Sequence, residues 1–237
     1  MPNDAKAARR TVNWKVLGSL VGLMVVVGLL WNTQVVYPLK ILVVFFHELS
    51  HGLAAVLTGG DIVRIEVVAA EGGLCVTQGG SRFVTLSAGY LGSLLWGGII
   101  LLLSARTRLD RAMSVTLGVI LLLTSLLFVR PFGSFGFVFG LVSGLALGGI
   151  GLLLPEAVND YLLRVVGLTS CLYAVLDIKS DILDRPHLRS DAVMLAEQTG
   201  IPAVVWGGLW IAVAVGLAAL FLVTACREKD TRTAPAK

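Results

Sequence analysis

Long uninterrupted runs of apolar residues dominate the chain and are separated by only two extended polar stretches. A helix of about 20 apolar residues is long enough to cross a hydrocarbon core of about 30 Å. The runs predict about six to seven transmembrane helices, with spans near residues 15–31, 36–57, 83–105, 112–129, 132–154, 161–177 and 203–225. We therefore expect an all-α polytopic membrane protein, organised as a single membrane domain over residues 1–237.

Two neighbouring runs meet almost without a loop at Arg130-Pro131. Such a junction predicts either a tight helical hairpin or one kinked element that does not fully cross, because proline cannot continue a regular helix. The sequence leaves these two alternatives open.

The two polar stretches have different patterns. Residues 61–78 lie between glycine pairs and contain β-branched residues with partial alternation, which predicts a small β-hairpin that packs on the helices or lies at the membrane boundary. Residues 179–201 form a polar loop around a short predicted helix over 191–198, for which Ser190 or Asp191 is a suitable N-cap.

Composition agrees with a lipid environment, since 56% of the residues are hydrophobic and only 14% are charged. The net charge of +4 is dispersed over loops and tails, so no nucleic acid partner is expected, and the lipid bilayer accounts for the basic residues. The three cysteines are far apart, without the paired spacing of a zinc ribbon or a disulfide framework, and we assign them no role.

Three ionisable residues lie within five positions of the second apolar run, in the segment His47-Glu48-Leu49-Ser50-His51. Ionisable side chains at membrane depth are expensive unless paired or ligated, so they mark functional sites. His47 and His51 are four positions apart, which places both imidazoles on one helix face, where they can reach a single tetrahedral Zn²⁺. Glu48 suits a general base for a zinc-activated water. The pattern predicts one zinc ion, with Glu48 as the catalytic residue.

A catalytic zinc site usually has three protein ligands and an open position for water. The best third ligand in the sequence is Asp177, at the end of the sixth run, and Asp181, one turn further on, is the alternative. Without a metal, Asp177 is explained as a helix-end carboxylate that reaches the headgroups or pairs with Lys179 or Arg164. His187 lies in the polar loop and is expected to be solvated.

Together these residues resemble the M50 (site-2-protease-like) intramembrane metallopeptidases, and within them the bacterial M50B-like membrane proteins. The resemblance covers roughly residues 35–210 and rests on segments 47–52, 57–60, 79–83 and 87–93 and on the pair Leu176-Asp177. The sequence departs from better-known members at Thr169 and Leu172, where they carry asparagine and proline, and at Ile178, where they carry glycine.

The resemblance implies His47, His51 and Asp177 as zinc ligands and Glu48 as the base of a zinc-dependent metallopeptidase. Its substrate would be a transmembrane protein, and its location the cell membrane, as a multi-pass protein of the bacterial cytoplasmic membrane. Since the metal site survives these departures better than the substrate-handling part does, a non-proteolytic zinc-binding protein, acting as scaffold or regulator of membrane partners, is the alternative. A transporter is a third reading, although its internal repeat is not evident.

Overall fold

The computed structural model describes residues 11–185 and 187–227. This part of the chain folds into eight α-helices and one two-stranded sheet, in the order α1 (Trp14–Leu29), α2 (Tyr37–Leu57), β1 (Gly60–Val68), β2 (Gly72–Gly79), α3 (Arg82–Arg106), α4 (Asp110–Phe128), α5 (Phe135–Leu153), α6 (Glu156–Lys179), α7 (Asp191–Thr199) and α8 (Ala203–Ala225). A π-helical segment, Ser180–Asp184, extends α6.

Six of these helices are long and apolar enough to cross a membrane, namely α2, α3, α4, α5, α8 and α6 with its π-helical extension. The helix α1 is apolar but has only 16 residues. At 1.5 Å per residue it is about 24 Å long, which is less than the thickness of a hydrocarbon core. The expected all-α polytopic architecture with one small hairpin is confirmed.

The junction at Arg130-Pro131 is a tight helical hairpin. The helix α4 ends just before this junction, α5 begins just after it, and the two helices pack on each other. Glycine permits this approach, because a Cβ atom on Gly118 would lie 2.6 Å from the carbonyl oxygen of Gly144. The glycines of α3 and α6 act in the same way, since a Cβ atom on Gly97 would lie 2.7 Å from the carbonyl oxygen of Gly167.

The predicted short helix in the second polar stretch is also present. Its N-cap is Ser190, whose hydroxyl accepts a hydrogen bond from the backbone N–H of Val193 at 3.4 Å. Gly200, with φ of 72°, ends the helix in the left-handed conformation. The helix α7 is anchored by Ala192 and Leu195, which are completely buried.

The hairpin of β1 and β2 is antiparallel, from Gly60 opposite Gly79 to Val68 opposite Gly72. The outer edge of β1 is covered, because Ile65 bridges to Val129 and its carbonyl accepts a hydrogen bond from the backbone N–H of Arg130. Among the described residues no strand pairs with the outer edge of β2. The hairpin therefore presents one free edge.

The hairpin runs back alongside α2 instead of standing away from it. Its base follows directly on the C-terminal end of α2 at Leu57, whereas its tip reaches the first turns of the same helix. There the Tyr37 hydroxyl donates to the carbonyl of Ala69 at 2.8 Å, and Lys40 Nζ lies 2.6 Å from Glu71 Oε1. The strands thus lie at the same depth as the central residues of α2.

Candidate metal centre

The central turns of α2 carry the His-Glu-x-x-His segment in a buried position. His47, Glu48 and His51 are only 9%, 5% and 7% exposed. The four-residue spacing brings the two imidazoles together, with ring centroids 4.8 Å apart. The apolar neighbours on α2, from Ile41 to Phe46, belong to the main hydrophobic core together with residues of other helices and of β1. The polar segment is therefore surrounded by protein rather than by lipid.

Both imidazoles direct their Nε2 atoms at one carboxylate oxygen. Asp191 Oδ2 lies 3.1 Å from Nε2 of His47 and 3.2 Å from Nε2 of His51. The ligand atoms of these three residues all lie within 4.8 Å of one another, so they are able to hold a metal ion. No other such group of histidine, cysteine, aspartate or glutamate occurs among the described residues.

The opposite nitrogens of the two rings have partners of their own. Nδ1 of His51 is 2.7 Å from the carbonyl oxygen of Thr85, and Nδ1 of His47 is 3.7 Å from Oδ2 of Asp177. The hydrogen bond of His51 is typical of metal sites, where the second ring nitrogen of a ligating histidine donates to a carbonyl or a carboxylate. The contact of His47 with Asp177 is at ion-pair distance and too long for a hydrogen bond.

The structure brings Asp177 into the site, but not into the three-residue cluster at the Nε2 atoms. Its neighbour Asp181 accepts a hydrogen bond from the Tyr90 hydroxyl at 2.6 Å and pairs with Arg185 at 3.2 Å. The pairings considered for Asp177 without a metal do not form, since Lys179 pairs with Asp184 and Arg164 with Asp160. His187 is exposed, as expected.

Sequence reasoning did not find Asp191 as a site residue. Its position directly after a serine N-cap already had a local explanation, because acidic residues are favoured in the first turn of a helix. It is 144 positions away from His47. The only available signal was the acidic character of the polar loop, and it did not single out this residue.

Two glycines of α3 let that helix approach the histidines. A Cβ atom on Gly89 would lie 2.6 Å from Nε2 of His51 and against Nε2 of His47, and one on Gly92 would collide with the side chain of Ser50. The small residues of segment 87–93 thus allow α3 to pack closely on α2. Gly89 leaves the space next to the imidazole nitrogens free for an ion.

The strand β2 covers Glu48. A Cβ atom on Gly73 would lie 2.6 Å from Cγ of Glu48, so only glycine allows the strand to come this close. A cavity of about 600 Å³ extends along β2 and is lined by both histidines, Glu48, Asp177 and Asp191. Glu48 therefore faces a space that is large enough for a peptide segment and lies next to the cluster.

Two pKa values outside the transmembrane helices reflect this environment. Burial by itself would raise the pKa of the Asp191 carboxyl, but the charge of His51 and the hydrogen bond with His47 hold it below its usual range. Burial, with the charges of Glu48 and Asp191, raises the pKa of the Cys75 thiol to about 12. Cys75 is thus a neutral thiol at pH 7, although it lines the cavity.

Comparison with known proteins gives one match. A family model described as Peptidase M50B-like matches residues 20–221, which include every residue of the site. No curated protein and no solved structure matches the chain.

Proposed function

The chain belongs to the Peptidase M50B-like family, and on that basis, together with the geometry of the site, we propose that it is an intramembrane zinc metalloprotease that hydrolyses peptide bonds of transmembrane proteins. The observation that carries the proposal is the convergence of two Nε2 atoms and a carboxylate in the centre of a membrane-spanning helix. A polar group of this kind has no role in packing, and without a bound ion its burial at membrane depth costs free energy.

The residues present suit zinc. Imidazole nitrogens and a carboxylate oxygen are the ligands of many catalytic zinc sites, which keep a fourth position open. In this protein His47 and His51 supply the imidazoles, and a carboxylate supplies the third ligand, either Asp177 near the end of α6 or Asp191 at the start of α7. When bound, zinc polarises a carbonyl and acidifies a water molecule.

Glu48 is the proposed general base. It lies outside the ligand cluster, so its carboxylate is free to take a proton from the attacking water and to pass it to the leaving amine. Its position between the histidines and β2 also places it next to any chain that lies along the strand. Burial excludes bulk water and makes the proton transfer local.

The free edge of β2 is the proposed binding site for the substrate backbone. Unpaired N–H and C=O groups at membrane depth are tolerated only when they are buried in protein or line a water-filled cavity, and β2 lines the cavity. A transmembrane helix hides its peptide bonds, so the substrate must first unwind. Its extended segment then pairs with β2 by strand addition, which holds a peptide bond beside Glu48.

The test compares wild type with Glu48→Gln, a change that removes the base but keeps the size of the side chain. We expect both purified proteins to carry about one zinc ion per chain, whereas only the variant lets a single-span membrane protein accumulate uncleaved in the membrane proteome. Glu66→Gln is the matched control, because Glu66 pairs with Arg64 on the hairpin and does not line the cavity.

Two outcomes would contradict the proposal. Wild-type protein that is free of metal after purification without chelators would exclude a zinc enzyme. A cellular phenotype that survives Glu48→Gln but is lost in His47→Ala would instead favour the non-proteolytic zinc-binding protein, since a structural site does not require a base.

A further inference from the structure

Two aspartates approach His47 from opposite sides of its ring. Asp191 lies at Nε2, with an oxygen–nitrogen distance of 3.1 Å, and Asp177 lies at Nδ1, at 3.7 Å. One imidazole nitrogen binds a metal through its lone pair, and the other then carries a proton. The two carboxylates therefore cannot have the same role.

His51 identifies which side of the rings faces the metal. Its Nδ1 lies 2.7 Å from the carbonyl oxygen of Thr85. A carbonyl only accepts hydrogen bonds, so Nδ1 of His51 must carry the proton and donate it. The lone pair is then on Nε2, which points at Asp191. For His47 to join the same ion, its Nε2 must also be the metal-binding atom.

The two oxygen–nitrogen distances at the Nε2 atoms are close to those of a tetrahedral site. Ligand atoms about 2.1 Å from a tetrahedral zinc lie about 3.3 to 3.4 Å from one another. The oxygen of Asp191 is 3.1 and 3.2 Å from the two nitrogens. Asp177 does not join this cluster, and its contact is with the proton-bearing side of His47.

We infer that Asp191 is the third metal ligand and that Asp177 is a positioning residue, whose carboxylate lies 3.7 Å from Nδ1 of His47 and electrostatically favours the tautomer that carries its proton there. This assignment rests on the proposed function and makes it more specific. The guanidinium of Arg185 lies 3.9 Å from Asp177 Oδ1 and 3.2 Å from Asp181 Oδ1, so it contributes positive charge beside both carboxylates. A carboxylate in this position raises the basicity of the imidazole and fixes its orientation.

The assignment has a structural consequence. Asp191 is the first residue of α7, outside the membrane-spanning helices, so the metal connects α7 to the centre of α2. Release of the metal would weaken this connection, because α7 would then be held by the contacts of Asp191 with the two imidazoles and by its packing on α3 and α8. The peptide bond after Arg189 lies directly before α7, and the Arg189 side chain is 67% exposed. The rate at which trypsin cleaves this bond therefore measures whether α7 is docked on the rest of the protein.

The experiment measures zinc binding by the purified full-length chain and its variants Asp191→Asn, Asp177→Asn and Asp177→Glu. We expect Asp191→Asn to weaken zinc binding by more than the roughly 10–100-fold that is usual for an outer partner, because a three-ligand site loses one ligand. Asp177→Asn should keep one zinc per chain with roughly tenfold weaker binding, as is usual for the outer partner of a ligating histidine. Asp177→Glu should restore most of that loss.

Two further readouts distinguish a ligand from a positioning residue. The visible spectrum of the Co²⁺-loaded protein should be the same in wild type and Asp177→Asn, since the ligands are unchanged. Trypsin should cleave after Arg189 faster when the metal is removed or Asp191 is replaced, but not in zinc-loaded Asp177→Asn. Asp184→Asn is the matched control, because Asp184 lies on the same segment and is half exposed in its pair with Lys179.

The inference is overturned if Asp177→Asn releases the metal while Asp191→Asn retains it, or if Asp177→Asn changes the Co²⁺ spectrum. In both cases a zinc-loaded wild type still supports a zinc enzyme, and only the assignment of the aspartates is wrong. A metal-free wild type overturns the inference and the proposed function together.

Discussion

Replacing Gly89 by alanine should place a methyl group in the space proposed for the metal. A Cβ atom at this position would lie 2.6 Å from Cε1 and Nε2 of His51, and it would also contact Nε2 of His47. Nonbonded heavy atoms are optimally separated by about 3.5 Å, so the rings must withdraw by about 1 Å. No other substitution on α3 tests the position of the ion so directly.

The size of the effect follows from the length of the metal bonds. A zinc–nitrogen bond is about 2.0–2.1 Å long, and a ring that has withdrawn by half of that length no longer binds. Changes to outer partners of the ligands already weaken binding by roughly 10–100-fold. We therefore expect a loss of at least about 100-fold in zinc affinity, which is about 2.7 kcal/mol.

The assay is competition for zinc with a chromogenic chelator, on protein purified in detergent. Gly92→Ala is the matched control, because its methyl group collides with Ser50 on the same face of α2 but reaches neither imidazole. Both variants should lose about 1–3 kcal/mol of stability from overpacking, and only Gly89→Ala should lose zinc. Wild-type affinity in Gly89→Ala would refute the location of the metal between these nitrogens.

Two further predictions concern the hairpin. Glu71→Gln should lower the free energy of unfolding in micelles by about 2–3 kcal/mol and Lys40→Met by only about 1. The first change leaves a buried ammonium without a counter-ion, whereas Glu71 is one-third exposed and can be hydrated. The reverse order would contradict this account of the pair. Gly73→Ala should keep one zinc per chain, because the histidines are not affected. It should lower kcat at least about tenfold for the membrane protein that accumulates in the Glu48→Gln variant, since its methyl group displaces Glu48. Unchanged turnover would mean that β2 does not position the base.

Most of the fold could be predicted from local patterns. The apolar runs gave the membrane-spanning helices, and the glycine-bracketed β-branched segment gave the hairpin, with strands at Gly60–Val68 and Gly72–Gly79. Which strand of the hairpin has the free edge could not be predicted in the same way. The edge of β1 is covered because Ile65 pairs with Val129, a contact between distant segments that no local periodicity reveals. The edge of β2 is therefore the free one.

The candidate site also has one part that local patterns determine and one part that only tertiary contacts determine. By itself the sequence determined the pair of histidines on one face of an apolar helix and the glutamate beside the first of them, because a spacing of four residues fixes relative position through helix geometry alone. Only the tertiary structure decided which carboxylate meets the Nε2 atoms. Asp177 lies at the end of the sixth run and Asp191 in the polar loop after it. The side of His47 that each carboxylate reaches depends on how the π-helical end of α6 leads into α7 and how α7 packs on its neighbours. Packing of this kind is set by contacts between residues far apart in the sequence, so it leaves no local pattern from which the ligand could have been chosen.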